Sequence, residues 1–234
     1  MAKQKKKVTT TVTTTITEEN IVINEKTHII CILDRSGSMA GIMDDSIGGF
    51  NTFLKQQKEL PDEATITVAL FDDQYEVLYD NVDIKKAEEL TRAVWYPRGM
   101  TALYDAIGKT IHNEKAKFLK LGVEAPAKVL CVIVTDGDEN SSHEYKIDNI
   151  KKLISGCEED NWNFVYLAAN QDAFSVGSGF GISGGNTYTY TASSAGVYNM
   201  TSTLSNTAGN YRSMVSTDTN FKTRSKNLVD DDKS

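Results

Sequence analysis

Five oxygen-bearing side chains in three short, widely separated segments could do chemistry together. They are Asp34, Ser36 and Ser38 in ILDRSGSM, Thr101 in RGMTALYDA, and Asp136 in VIVTDGDEN. Carboxylates and hydroxyls gathered without His or Cys are hard ligands, suited to Mg²⁺, Mn²⁺ or Ca²⁺ rather than Zn²⁺. Residues 34, 36 and 38 alternate, so a nearly extended stretch turns all three side chains to one side. Gly37 lets the backbone curl around an ion at little steric cost. Plainer readings compete with this one: Ser38 could cap a helix beginning at Met39, and Asp136-Gly137 could merely make a turn.

The elements that must position these residues can be read from periodicity. HIICILD (28–34) is a continuous apolar run, as expected of a strand buried on both faces. KVLCVIVTDG (128–137) holds a second such strand, so Asp34 and Asp136 both stand where a strand ends. In a doubly wound sheet, ligands bind beyond the carboxyl ends of strands, where the strand order reverses. With these two strands central, both carboxylates emerge at that crevice. Residues 39–60 carry a helical stripe through Ile42, Ile47, Phe50, Phe53, Leu54 and Leu60. ATITVALFDD (64–73) reads as a strand and YEVLYDNV (75–82) as its antiparallel neighbour. LYDAIGKTIHNEKAKFL and EYKIDNIKKLISGCEE read as helices, and NFVYLAAN (163–170) and NTYTYTA as strands. SVGSGFGISGGN reads as a Gly/Ser loop and residues 195–214 as a closing helix. The expected class is α/β: a doubly wound, mostly parallel central sheet flanked by helices, with one antiparallel edge strand.

The 234 residues divide into a Thr-rich N-terminal arm or hairpin (1–26), one large domain (27–222) and a polar C-terminal tail (223–234). Lysines and arginines number 25 against 32 aspartates and glutamates, and the net charge of −7 argues against a nucleic-acid surface. Three cysteines, Cys31, Cys131 and Cys157, are too few and odd in number for a disulfide framework, which points to a reducing compartment. No apolar run reaches the length of a membrane span, and the N-terminus lacks the apolar core of a signal peptide. The expectation is a soluble cytoplasmic protein that binds neither nucleic acid nor membrane, with its oligomeric state open.

D-x-S-x-S after a buried strand, a distant Thr opening a helix, and T-D-G after a second buried strand resemble the metal-ion-dependent adhesion site (MIDAS) of von Willebrand factor A (VWA) domains. DRSGSM, LFDD, RGMTALYDA and TDGDEN are most similar to the intracellular bacterial and bacteriophage members, over about residues 27 to 215. The resemblance implies a Rossmann-like VWA fold in which Ser36, Ser38 and Thr101 are hydroxyl ligands. It implies that Asp34 and Asp136 bind the ion directly or through water, and that the ion accepts an acidic side chain from a partner protein. The Thr-rich N-terminus and the Gly-rich 175–186 stretch fall outside the family's core pattern.

These readings favour a binding module rather than an enzyme. Mg²⁺, with Mn²⁺ or Ca²⁺ as alternatives, would bridge the five residues to a partner's acidic residue, and loops 72–75, 96–100 and 138–143 would supply the remaining interface. One alternative is a structural component of an assembly, of the phage kind, using the N-terminal arm and the final helix. Another is a metal-dependent hydrolase or phosphotransferase, which needs a general base where only His143 or a surplus carboxylate is near in sequence. Asp72 and Asp73 read as a solvated turn, while Asp105 and Glu139 either orient ligands or sit exposed. Trp95, Tyr96 and Trp162 read as core or rim. GFGISG (179–184) and GISGG (181–185) mimic dinucleotide and nucleophile motifs, but the strand-like NTYTYTA follows where a helix is required. His28, His112 and His143 all precede Ser183, against the order of that hydrolase fold. There is no Walker-type loop, and Ser36 stands where a haloacid-dehalogenase-type phosphotransferase wants its second carboxylate.

Overall fold

The computed structural model describes residues 25–218 and 221–231. The arm or hairpin expected at residues 1–26 therefore lies outside the described residues, Glu25 and Lys26 excepted. Six strands form one sheet in the order β3-β2-β1-β4-β5-β6. β1 (Thr27–Asp34), β2 (Ala64–Phe71), β4 (Lys128–Thr135), β5 (Trp162–Ala169) and β6 (Thr187–Tyr190) are parallel, and β3 (Tyr75–Asp83) is the antiparallel edge. β1, β2, β4 and β5 are buried along their whole length, which is why their sequences run apolar instead of alternating.

Helices cover both faces. Ile29, Cys31 and Leu33 of β1 pack towards α1 (Met43–Glu59) and α5 (Ser194–Ser213), in one core with Phe50, Phe53, Val197 and Leu204. Ile30 and Ile32 point the other way, into a core with α2 (Leu103–Leu121), α3 (Ile147–Glu159) and α4 (Ala173–Phe180). The strand order reverses between β1 and β4, which pair directly with Leu33 opposite Val134. That register sets Asp34 beside the Thr135–Asp136 end of β4, at the carboxyl edge of the sheet.

Three expectations need correction. The Gly/Ser stretch 175–186 is not a loop throughout, because α4 occupies Ala173–Phe180. Its helix is made by caps and packing rather than by propensity. Asp172 accepts from Ser175 N at one end, and Gly181 takes a left-handed φ of 88° at the other. Between them Gly177 presses so close to the sheet that a Cβ would stand 2.7 Å from Thr187 Cγ2. The helix expected from residue 39 begins instead with a 3₁₀ turn (Gly37–Gly41), and α1 proper starts at Met43. Finally, the stretch assigned to a polar tail continues in two short helices, α6 (Phe221–Arg224) and α7 (Leu228–Asp231). Leu228 and Val229 are buried there, and Leu228 N donates to Asn186 Oδ1 while Asn186 Nδ2 donates to Ser225 O.

The three cysteines are free and buried. Among the described residues, no helix is long and apolar enough to cross a membrane.

Candidate metal centre

The loop after β1 begins with Asp34, which is fully buried. Its two carboxylate oxygens are held separately: Oδ1 accepts from Ser36 N at 2.6 Å and Oδ2 from Thr135 Oγ1 at 2.6 Å. Ser36 Oγ lies 3.0 Å from Ser38 Oγ, and Ser38 Oγ donates to Asp136 Oδ1 at 2.6 Å. Neither serine caps a helix, since no side-chain cap bond is made at the 3₁₀ turn or at α1. The capping alternative for Ser38 thus gives way to a contact between loops.

Thr101 arrives from the connection leading into α2 and is buried. Asn140 brackets it: Thr101 N donates to Asn140 Oδ1 at 2.9 Å, and Asn140 N donates back to Thr101 O at 3.0 Å. Gly137 shows where the segments meet. A Cβ placed on it would stand 3.0 Å from Thr101 Oγ1, 3.2 Å from Ser38 Oγ and 3.6 Å from Ser36 Oγ. Three hydroxyls therefore converge on a space that exists because residue 137 has no side chain. All five candidate residues are brought together in this way, Asp34 through Ser36 and Asp136 through Ser38.

Electrostatics suit a cation there. Burial pushes the Asp34 carboxyl up to about 6, against the Thr135 and Ser36 hydrogen bonds that lower it and with a small upward push from Asp136. Burial also raises Asp136, opposed by the Ser38 hydroxyl. Two carboxylates strained towards protonation, together with neutral hydroxyls, make a donor set that a hard divalent ion fits. Among the described residues no group of three or more His, Cys, Asp or Glu is placed to hold a metal, so a centre here must draw on its hydroxyls.

A second set of residues frames the loops, and it includes a correction. Asp72, expected in a solvated turn, is fully buried; only Asp73 is exposed. Asp72 Oδ2 accepts from Arg35 Nε at 3.2 Å and Arg98 Nε at 2.5 Å, while Oδ1 accepts from Gln74 N. Arg35 also reaches Glu76 at 2.7 Å. One carboxylate thereby ties the β1 loop to the segment before Thr101. Trp95 is core, and its indole N–H donates to Asp34 O at 3.0 Å. Asp105 accepts from the backbone N–H groups of His143, Glu144 and Tyr145, while Glu139 accepts from Tyr104 N, Ser141 N and Ser142 N. Both acids staple the loop after β4 onto α2. Sequence reading missed Arg35, Arg98 and Asn140, whose bonds to Asp72 and Thr101 span 26 to 39 residues. For Thr135 and Gly137 the T-D-G run was the available signal.

No protein-family model matches the chain, and no curated protein matches it in sequence. Similar solved structures supply the comparison. The ArnB paralog VWA2 from Sulfolobus acidocaldarius superposes with a TM-score of 0.50 at 17% identity, over 77% of this chain and 44% of that one. The von Willebrand factor type A protein from Catenulispora acidiphila gives 0.51 at 13% identity, over 77% and 42%. The fold is that of VWA domains. Proximal thread matrix protein 1 from the mussel byssus, in a form with a zinc-occupied MIDAS motif, gives 0.53 at 16% identity, over 78% and 46%. The chain spans less than half the length of each of these VWA-type chains.

Proposed function

We propose that this VWA domain is a metal-dependent protein-binding module whose ion, Mg²⁺, is shared between its own loops and a carboxylate of a partner protein. The observation that carries the reading is the convergence of the Ser36, Ser38 and Thr101 hydroxyls beside Gly137, flanked by Asp34 and Asp136. Only two of the five donors are charged and the hydroxyls are weak neutral ones, so the ion stays electrophilic enough to take one more oxygen from outside. A partner's Asp or Glu supplies it. The zinc-occupied MIDAS motif of the mussel protein supports a divalent ion in a centre of this fold. The all-oxygen donors here favour Mg²⁺, then Mn²⁺, over zinc.

On this reading the ion is adhesive and performs no chemistry on a substrate. Three buried free thiols suit a reducing, cytoplasmic setting, and the acidic net charge of −7 suits a protein partner better than nucleic acid. The test is affinity capture with wild type and Asp34→Ala side by side, in Mg²⁺ and in EDTA. Capture should need both the ion and Asp34, and partners that stay bound in EDTA would overturn the proposal.

A further inference from the structure

Two buried tyrosines end in hydroxyls that find no hydrogen-bond partner among the described residues. Tyr166 is fully buried on β5, and Tyr190, 4% exposed, is the last residue of β6. A buried hydroxyl left unpaired forfeits its hydration for nothing, so such a group in a native fold calls for a reason. The buried Tyr211 shows the ordinary solution, since its Oη donates to Val129 O at 2.9 Å.

The register of the sheet sets Tyr190 level with Asp136. Tyr190 pairs with Ala169 and Ala168 pairs with Thr135, so the row through Ala169 continues onto Asp136. The faces agree as well. Leu130, Val132 and Val134 of β4 share one core with Ala169 and Tyr190, while Cys131 and Ile133 point into the other. Side chains alternate along a strand, so Asp136, two residues after Val134, falls on the Tyr190 face. Thr135 falls on the opposite face, where Asp34 follows Ile30 and Ile32 and accepts the Thr135 hydroxyl. Between Tyr190 and Asp136 in their row stands Ala169, a single methyl group, across two strand spacings of about 4.8 Å each. A phenol reaching inward over Ala169 and a carboxylate reaching outward are long enough together to close that distance.

Backbone contacts fix the same juxtaposition. Asn170 N donates to Tyr190 O at 2.9 Å, and the next residue, Gln171, donates from Nε2 to Gly137 O at 3.2 Å. Adjacent residues of one loop thus hold the end of β6 on one side and the metal cradle on the other. Burial raises the Tyr190 pKa, and the charges of Asp136 and Asp34 add to the rise. The phenol is therefore a neutral donor at pH 7, within reach of the field of both carboxylates.

Asp136 Oδ1 takes the Ser38 proton at 2.6 Å. A carboxylate that ligates a metal is ordinarily held by further hydrogen bonds, which fix its orientation. We propose that Tyr190 is a positioning residue of the metal centre, its hydroxyl donating to Asp136 when the ion is bound. The inference rests on the metal-centre half of the reading above and not on the partner's carboxylate.

The test compares wild type, Tyr190→Phe and Tyr166→Phe by isothermal titration with Mn²⁺ and by thermal melting without metal. Both variants keep the ring and delete an unpaired buried hydroxyl, so without metal each should melt at or above wild type. Tyr190→Phe should bind Mn²⁺ about tenfold to a hundredfold more weakly, the loss expected when a metal ligand loses its hydrogen-bond partner. Tyr166 belongs to the other core, where both Asp34 oxygens are already engaged by Ser36 N and Thr135 Oγ1, so Tyr166→Phe should keep wild-type affinity. Wild-type affinity in Tyr190→Phe, an equal loss in Tyr166→Phe, or a Tyr190→Phe protein that melts lower without metal overturns the inference and leaves the centre in place. Failure of wild type to bind Mn²⁺ overturns the centre itself and the role of Tyr190 with it. Partner capture that persists in EDTA, with Tyr190→Phe still weak for Mn²⁺, overturns the bridge alone.

Discussion

Ser38 Oγ donates to Asp136 Oδ1 at 2.6 Å, joining two loops 98 residues apart. A serine just ahead of a helix ordinarily spends its hydroxyl on the backbone; here the proton goes to a carboxylate, Ser36 Oγ donates to one lone pair at 3.0 Å, and the other is left for the space beside Gly137. Ligand binding to the native state alone stabilises it by about 2.7 kcal/mol at a hundredfold excess over the dissociation constant. For a chain of this size that corresponds to a rise in melting temperature of about 5–10 °C. Mg²⁺ should produce such a shift in wild type, EDTA should reverse it, and Ser38→Ala should lose most of it. A full shift in the variant, measured by differential scanning fluorimetry, would remove Ser38 from the centre.

Gly137→Ala offers a sharper test because it changes space without removing an oxygen. The added Cβ would sit 3.0 Å from Thr101 Oγ1 and 3.2 Å from Ser38 Oγ, inside the cradle. The unliganded variant should lose about 1–3 kcal/mol of stability, the usual range for overpacking, and still fold. Its metal shift should vanish. Isothermal titration with Mn²⁺ reads the same outcome directly, and undiminished affinity would place the ion elsewhere.

Asp72 holds the frame rather than the ion. It is buried with Arg35 and Arg98 on one oxygen, so truncation leaves the buried Arg35 guanidinium with Glu76 alone and strips the partly exposed Arg98 of its carboxylate. Asp72→Ala should cost about 3–5 kcal/mol, the range for breaking a buried pair from one side. Metal affinity should fall with it, because Arg98 N–H also donates to Arg35 O and fixes the approach to Thr101. Chemical denaturation and limited proteolysis at 96–100 measure the two effects. Normal stability would mean that the network is dispensable.

The fold class was legible because burial on both faces writes itself as continuous apolar runs rich in β-branched residues in β1 and β4, and because strand and helix alternate. The convergence of Asp34, Ser38 and Asp136 followed once those two strands were adjacent. What stayed hidden depended on distant partners. Asp72 looks like any turn aspartate until Arg35 and Arg98 arrive from separate segments. SVGSGFG contains few helix formers, and the helix there exists through the Asp172 cap, the left-handed Gly181 and the fit of Gly177 against Thr187. Leu228 and Val229 sit among polar residues, and their burial needs the Asn163–Asn186–Ser225 contact to be seen.

Below the metal edge, Glu114 on α2 forms a buried polar knot with β1 and β2. It accepts from Thr67 Oγ1 at 3.1 Å and Lys117 Nζ at 2.9 Å, and its Oε2 lies 3.4 Å from His28 Nε2. Burial alone would raise its pKa, but His28 and Lys117 outweigh that and hold it below the ordinary 4.5. A carboxylate with a depressed native pKa adds stability that is present above its unfolded value and is lost as pH falls through the native one. Glu114→Gln keeps the shape and one acceptor but removes the charge, so it should cost roughly 1–3 kcal/mol at pH 7. As pH drops below about 4.5 the wild-type group becomes protonated too, and the gap between the proteins should close. Urea denaturation of both at pH 7 and at acid pH measures the gap. A difference that stays constant across that window would mean that Glu114 contributes through shape and not through charge.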